Sequence, residues 1–433
     1  MTSAPSSIEQ APRPLTRSDY KTLSLSALGG ALEFYDFIIF VFFATVVASC
    51  SSRRHARVAT VDADVRIFAA GYLARPLGGI IMAHFGDLLG RKKMFTLSIF
   101  MMALPTLIMG LLPTYAQIGL WAPILLLLMR VIQGAAIGGE VPGAWVFVSE
   151  HVPARNTGYA CGTLTAGLTA GILLGSLVAT LINSVYSAEE VASYAWRIPF
   201  SAGRVFGLFS VYLRRWLHET PVFAEMQQRK ALAEGLPLRA VLRDHRGPIV
   251  LSMFADLDAV GRHRGGDPHD ASLVQSIYHI SPTDSLKANS LAIVLLSLGC
   301  IGAVAWPIAS ARAVCSCRQL MLFVSSWAFY HSLPTRPELL FPLYAVTGLC
   351  VGVIGAVPYV MVKAFPAAVR FSGLSFSYNV AYAIFWRPDA DGSNRASESQ
   401  PHGARLLCGC PVHGRLFGRS VSARQQALNR LGH

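Results

Sequence analysis

Charged side chains stand inside apolar runs at several places, and their spacing decides what chemistry they could do. In Ala31-Leu-Glu-Phe-Tyr-Asp-Phe37, Glu33 and Asp36 are at i,i+3, on one helix face about one turn apart. Two such carboxylates in a low dielectric repel, and one bound proton relieves the repulsion, so the pair is a candidate proton site. The same residues also read as a structural pair, each carboxylate met by an arginine from a neighbouring helix. Arg75, within Tyr72-Leu-Ala-Arg-Pro76, needs a carboxylate or an anionic ligand, and Glu33 and Asp36 are the natural candidates. Tyr35 lies in the same acidic segment and joins the candidates for substrate contact.

A third set runs from Arg130 to Glu140. At 100° per residue, Arg130, Gln133, Ile137 and Glu140 fall within about 80° of one another, one polar stripe on a helix. An arginine with a glutamine one turn on suits a carboxylate ligand, because the guanidinium fork binds it bidentately. Arg130 and Gln133 are therefore substrate candidates and Glu140 a third proton candidate, with an Arg130–Glu140 structural lock as the other reading.

The elements holding these residues are membrane spans. Of 433 residues, 53% are apolar and 14% charged, against about 25% charged in soluble domains. Apolar runs lie at about 23–48, 66–85, 94–112, 121–147, 158–182 and 197–216, then at 287–310, 319–334, 339–362 and 371–385. This pattern excludes a soluble enzyme, a nucleic-acid binder and a disordered chain. The net charge of +13 marks loops: Arg13, Arg17, Lys21, Arg91–Lys93, Arg155 and the 214–246 segment are cationic, whereas 113–120 carries no charge. The N-terminus and the centre are thus expected in the cytoplasm. No nucleophile elbow, His-Glu-x-x-His or phosphate loop is present, and no cofactor, metal or enzymatic activity is expected.

The loop Gly86-Asp-Leu-Leu-Gly-Arg-Lys-Lys93 resembles the hallmark loop of the major facilitator superfamily, with Asp87, Gly90, Arg91 and Lys92 in place. Arg130-x-x-Gln-Gly resembles that superfamily's second motif. Ala31–Phe37, Ala70–Gly79, Gln133–Glu140, Trp196–Phe200 and Leu217–Phe223 narrow the resemblance to the metabolite:proton symporter family. It covers 23–250 well and 286–385 in patches. It implies an all-α polytopic fold of two six-helix bundles, alternating access, and a cytoplasmic latch formed by Gly86, Asp87, Gly90, Arg91 and Lys92. It implies proton symport of a small organic acid or zwitterion by a monomer in the inner membrane.

The expected organisation is an arm over 1–22, a six-helix bundle over 23–216, a central loop over 217–248 and a second bundle over 249–385. A non-membrane Arg-rich stretch occupies 386–433, with seven arginines and no lysine. The second bundle reads as incomplete. Residues 50–66, 255–285, 306–318 and 386–433 switch abruptly to Arg/His/Ser/Gly-rich text, as a disrupted reading frame would produce. The seventh helix is expected to be broken, the eleventh shortened and the twelfth lost. The alternative function is accordingly a transport-incompetent relative or a membrane sensor.

Overall fold

The computed structural model of the protein describes residues 13–51, 57–229, 237–264, 282–305 and 324–385, except 326, 330, 334 and 335. The described residues form helices and no strands. In chain order they are α1 Arg17–Ser51, α2 Arg57–Leu89, α3 Arg91–Leu111, α4 Trp121–His151, α5 Thr157–Val185 and α6 Arg197–Arg214. Then come α7 Pro221–Gln228, α8 Pro237–Asp244, α9 Arg246–Arg264, α10 Pro282–Ala305, α11 Leu340–Val351, α12 Val357–Ala364 and α13 Arg370–Phe385. A 3₁₀ stretch, Gly352–Ala356, joins α11 to α12.

Five helical segments are long and apolar enough to cross a membrane, among the described residues: Arg17–Phe40, Arg91–Leu111, Trp121–His151, Ala154–Val185 and Pro337–Ala364. α2 and α6 carry charge and fall outside that group, yet they pack as full members of the bundle. Their buried cations, Arg75 and Arg214, turn to partners inside the protein, the arrangement that makes intramembrane charge tolerable.

α2 packs along α4, α1 along α5, and α3 against α4 and α6. Small residues allow the tightest of these approaches. A Cβ on Gly134 would lie 1.9 Å from the Gly71 carbonyl oxygen, and one on Gly138 2.0 Å from that of Arg75. The two halves meet along two seams, α2 against α13 and α5 against α10.

Pro142 shapes the first seam. It has no N–H for the carbonyl four residues back, Gly138. That carbonyl instead accepts from Asn379 Nδ2 at 2.7 Å and from Ser375 Oγ at 3.3 Å, both on α13.

Several expected boundaries differ. Of the stretch 50–66, read as a loop, residues 50–51 end α1 and 57–66 are the first turns of α2, while 52–56 lie outside the described residues. The central loop contains α7 and α8, and α9 starts at Arg246. α9 continues to Arg264 although Asp256, Asp258 and Arg262 lie in its second half, and it packs on α13 and α12. The expected breaks at 265–281, 306–318 and 386–433 lie outside the described residues.

Candidate functional site

Glu33 and Asp36 share one face of α1, as their spacing requires, and that face meets α6. Gly203, Gly207, Ser210 and Arg214 form the opposing stripe at three- and four-residue steps. Arg214 Nη2 lies 2.5 Å from Glu33 Oε1 and 2.9 Å from Glu140 Oε1. Its Nη1 donates to the Phe95 carbonyl, and Ser210 Oγ donates to Glu33 at 3.1 Å. All three charged residues are buried. One arginine therefore bridges α1, α4 and α6. Asp36 is buried beside them, its Oδ1 against Gly203, and that oxygen has no hydrogen-bond partner among the described residues.

Arg214 was expected among the loop cations and is instead the centre of this cluster. Arg75 was expected to meet Glu33 or Asp36. Among the described residues it donates from Nη2 to the Tyr378 hydroxyl at 3.2 Å and lies over the Tyr382 ring, 4.6 Å from its centroid. The reason is placement: α2 faces α13 across the seam, while the acidic face of α1 is turned to α6. Of the two readings of Arg130, a ligand contact or a lock on Glu140, the lock does not form among the described residues. Arg130 Nη1 donates to Gln133 Oε1 at 2.8 Å, Gln133 Nε2 donates to Thr106 at 2.7 Å, and the guanidinium covers the Phe40 ring at 3.9 Å. Glu140, almost three turns along α4, reaches Arg214 instead.

Tyr35, expected at the substrate, is fully buried and donates to the Pro199 carbonyl at 2.9 Å. It pins α1 to α6. Tyr35→Phe is expected to destabilise the protein by about 1–3 kcal/mol, the cost of a stranded buried carbonyl. Solute affinity should stay unchanged, as binding measurements on the purified variant would show.

The hallmark loop forms a compact latch. Gly90, at φ 122°, turns the chain from α2 to α3 in a single residue, a conformation that other residues resist. Asp87 and Arg91 thereby come within 3.0 Å. Asp87 Oδ2 accepts the Ser372 N–H at 2.9 Å, at the first turn of α13, where a carboxylate is favoured by the helix dipole. Arg91 donates to the carbonyls of Ala367, at 2.7 Å, and Gly86, at 3.2 Å. The Lys92 backbone N–H goes to Glu219, at 3.2 Å.

Two further members were not read from the sequence. Glu150 lies 3.4 Å from Arg91 and 3.1 Å from Arg370, so it ties α4 to both α3 and α13. Thr220 caps α7, accepting from Phe223, and donates to Glu150 at 2.8 Å. A carboxylate closing an apolar run just before Pro153 was the available signal.

Two bundle-forming sets of membrane helices, joined at one end by charges that cross between them, define a polytopic fold of the major facilitator type. The chain matches the family described as "Sugar (and other) transporter" over residues 23–246, and belongs to it. It is 30% identical over 383 residues to the inner membrane metabolite transport protein YhjE of Escherichia coli K12, covering 83% of this chain and 84% of that protein. It is 37% identical over 221 residues to the proline/betaine transporter of Salmonella typhimurium, covering 50% and 44%. The chain thus spans less than half the length of that relative. Among solved structures, the proton:xylose symporter XylE superposes with a TM-score of 0.71 over 92% of this chain and 94% of that one, at 15% identity, a likeness of fold alone.

Proposed function

We propose that the protein is a secondary transporter that moves a small zwitterion or organic acid across the membrane together with a proton, by alternating access. The observation that carries this reading is the Glu33–Arg214–Glu140 cluster with Asp36 one turn away. Three buried carboxylates there contact or adjoin a single arginine. One proton lowers the excess negative charge, which is what couples proton and solute movement. In this reading Arg75 and the Arg130–Gln133 pair take the solute carboxylate. Trp145, Tyr378 and Tyr382, whose rings adjoin one another, offer faces for a positively charged nitrogen. A relative named as a proline/betaine transporter supports a zwitterion.

The latch then faces the cytoplasm of the inner membrane, with the N-terminus on the same side, and the working unit is a monomer. Uptake of labelled betaine, proline, citrate and dicarboxylates into cells expressing the chain, with and without a proton gradient, tests the whole reading. Gradient-dependent uptake of at least one is expected. Uptake no greater than in empty-vector cells would overturn it. Cysteine labelling from outside should reach position 187 and spare position 92, and the reverse pattern would invert the orientation. Arg130→Lys keeps the charge and loses the planar fork, so uptake should fall about tenfold or more with helicity unchanged; normal affinity would make Arg130 structural.

A second reading, a transport-incompetent relative or sensor, is favoured by α9. Asp256, Asp258, Arg262 and Arg264 lie in it, and each central charge disfavours insertion by about 2.5–3.5 kcal/mol. The same assay separates the two: solute binding without uptake is the result expected of a sensor.

A further inference from the structure

Outside the carboxylate cluster and the latch, a groove of about 610 Å³ runs between α2 and α8. Its walls are Ile81 and Phe85 from α2 and Leu238 and Leu242 from α8. The sequence of α8 dictates this arrangement. Pro237 and Val241 are buried, Leu238 and Leu242 follow one position later, and Arg239 and Arg243 one position after that. One face holds the helix down, the next lines the groove and the third puts guanidinium groups on its rim.

On α2, Leu73, Leu77 and Ile81 recur every four residues and are 63%, 67% and 53% exposed. In a membrane protein such a stripe faces acyl chains. It leads directly into the groove, which lies at the end of α2 that carries the latch. There three arginines, Arg239, Arg243 and Arg246, close the apolar channel. Arg243 is paired with Asp244 at 2.9 Å, so its Nε is already engaged. Arg246 gives only its Nε to the Leu242 carbonyl, and Arg239 is exposed and makes no ion pair among the described residues. His84 is the remaining titratable group in the lining. Two guanidinium groups with no ion pair among the described residues, set above an apolar channel, match a phosphate above an acyl chain.

We propose that this groove binds one anionic phospholipid from the leaflet on the latch side. Its acyl chain lies along Leu73, Leu77 and Ile81, and its phosphate is held by Arg239 and Arg246. The site is separate from the proposed solute path, so it stands whether or not the chain transports. A bound lipid would join α2 to α8, and α8 itself packs on α13, so its presence would bear on how the latch opens.

The test is lipid retention by the purified full chain in neutral detergent with equal amounts of phosphatidylglycerol and phosphatidylcholine, read by native mass spectrometry. A juxtamembrane arginine contributes about a fivefold preference for an anionic lipid, so two give roughly 30-fold. One phosphatidylglycerol retained with that preference is expected. R239Q/R246Q should reduce the preference to within about threefold, and I81W, which fills the channel, should release the lipid. If the double variant loses helicity, R239Q alone, at an exposed position, should lower the preference about fivefold. Equal retention of the two lipids by the native chain would overturn the proposal. So would a preference that survives both the arginine and the Ile81 substitutions.

Discussion

Replacing Arg214 with methionine is expected to remove most of the folded protein. Glu33 and Glu140 approach each other only because Arg214 Nη2 lies between them, at 2.5 and 2.9 Å. All three are at most 4% exposed, so water cannot replace the guanidinium. Breaking a buried pair from one side costs about 3–5 kcal/mol, because the remaining charge is stranded. Here two carboxylates would be stranded around one lost cation. The loss should appear as a lowered melting temperature in detergent and a lower yield of monodisperse protein. The charge-balanced triple variant E33Q/E140Q/R214M tests the cause. It should regain much of the lost stability while failing to transport. If R214M alone were as stable as the native chain, the bridge would be an incidental contact.

Asp36→Asn is expected to separate coupling from binding. Asparagine resembles the protonated carboxyl in shape, and it meets the same wall of Gly203 and Gly207. The variant should therefore fold and bind solute. Accumulation against a gradient should fall about tenfold or more, the size of a coupling free energy near 1.4 kcal/mol. Exchange of labelled for unlabelled solute should change less than about twofold and lose its pH dependence. Normal accumulation by this variant would move the proton site to Glu33 or Glu140. A loss of exchange as well would make Asp36 a structural group.

The residues that could be placed from sequence were those whose partners lie within one or two turns. Glu33 and Asp36 share a face because three residues make almost one helical turn. Arg130 meets Gln133 for the same reason. Asp87 and Arg91 meet because a glycine stands between two helices. What could not be read was which helix faces which. Arg75 was assigned to α1 and belongs to α13. Glu140, which one reading paired with Arg130, is met by Arg214 of α6.

Arg214 was the largest omission. It ends an apolar run beside Arg215 and Trp216, where a loop cation is expected. The available signal was its place: Arg214 falls inside the apolar run 197–216, where a cation needs a partner from another span. Glu150 escaped notice because its partners, Arg91 and Arg370, are distant in sequence and joined only by the fold.

The proline at position 142 has a bearing on how the chain is made. It leaves α4 one donor short, and the donor that completes it, Asn379, is 241 residues further along the chain. At roughly 5–20 residues per second of synthesis, the Gly138 carbonyl waits roughly 10–50 s for its partner. During that interval the carbonyl lacks its partner in lipid, where an unmatched carbonyl is expensive. Until α13 arrives, that one carbonyl is expected to need a water or another temporary donor. A side chain from α13 then completes a helix laid down near the beginning of the chain.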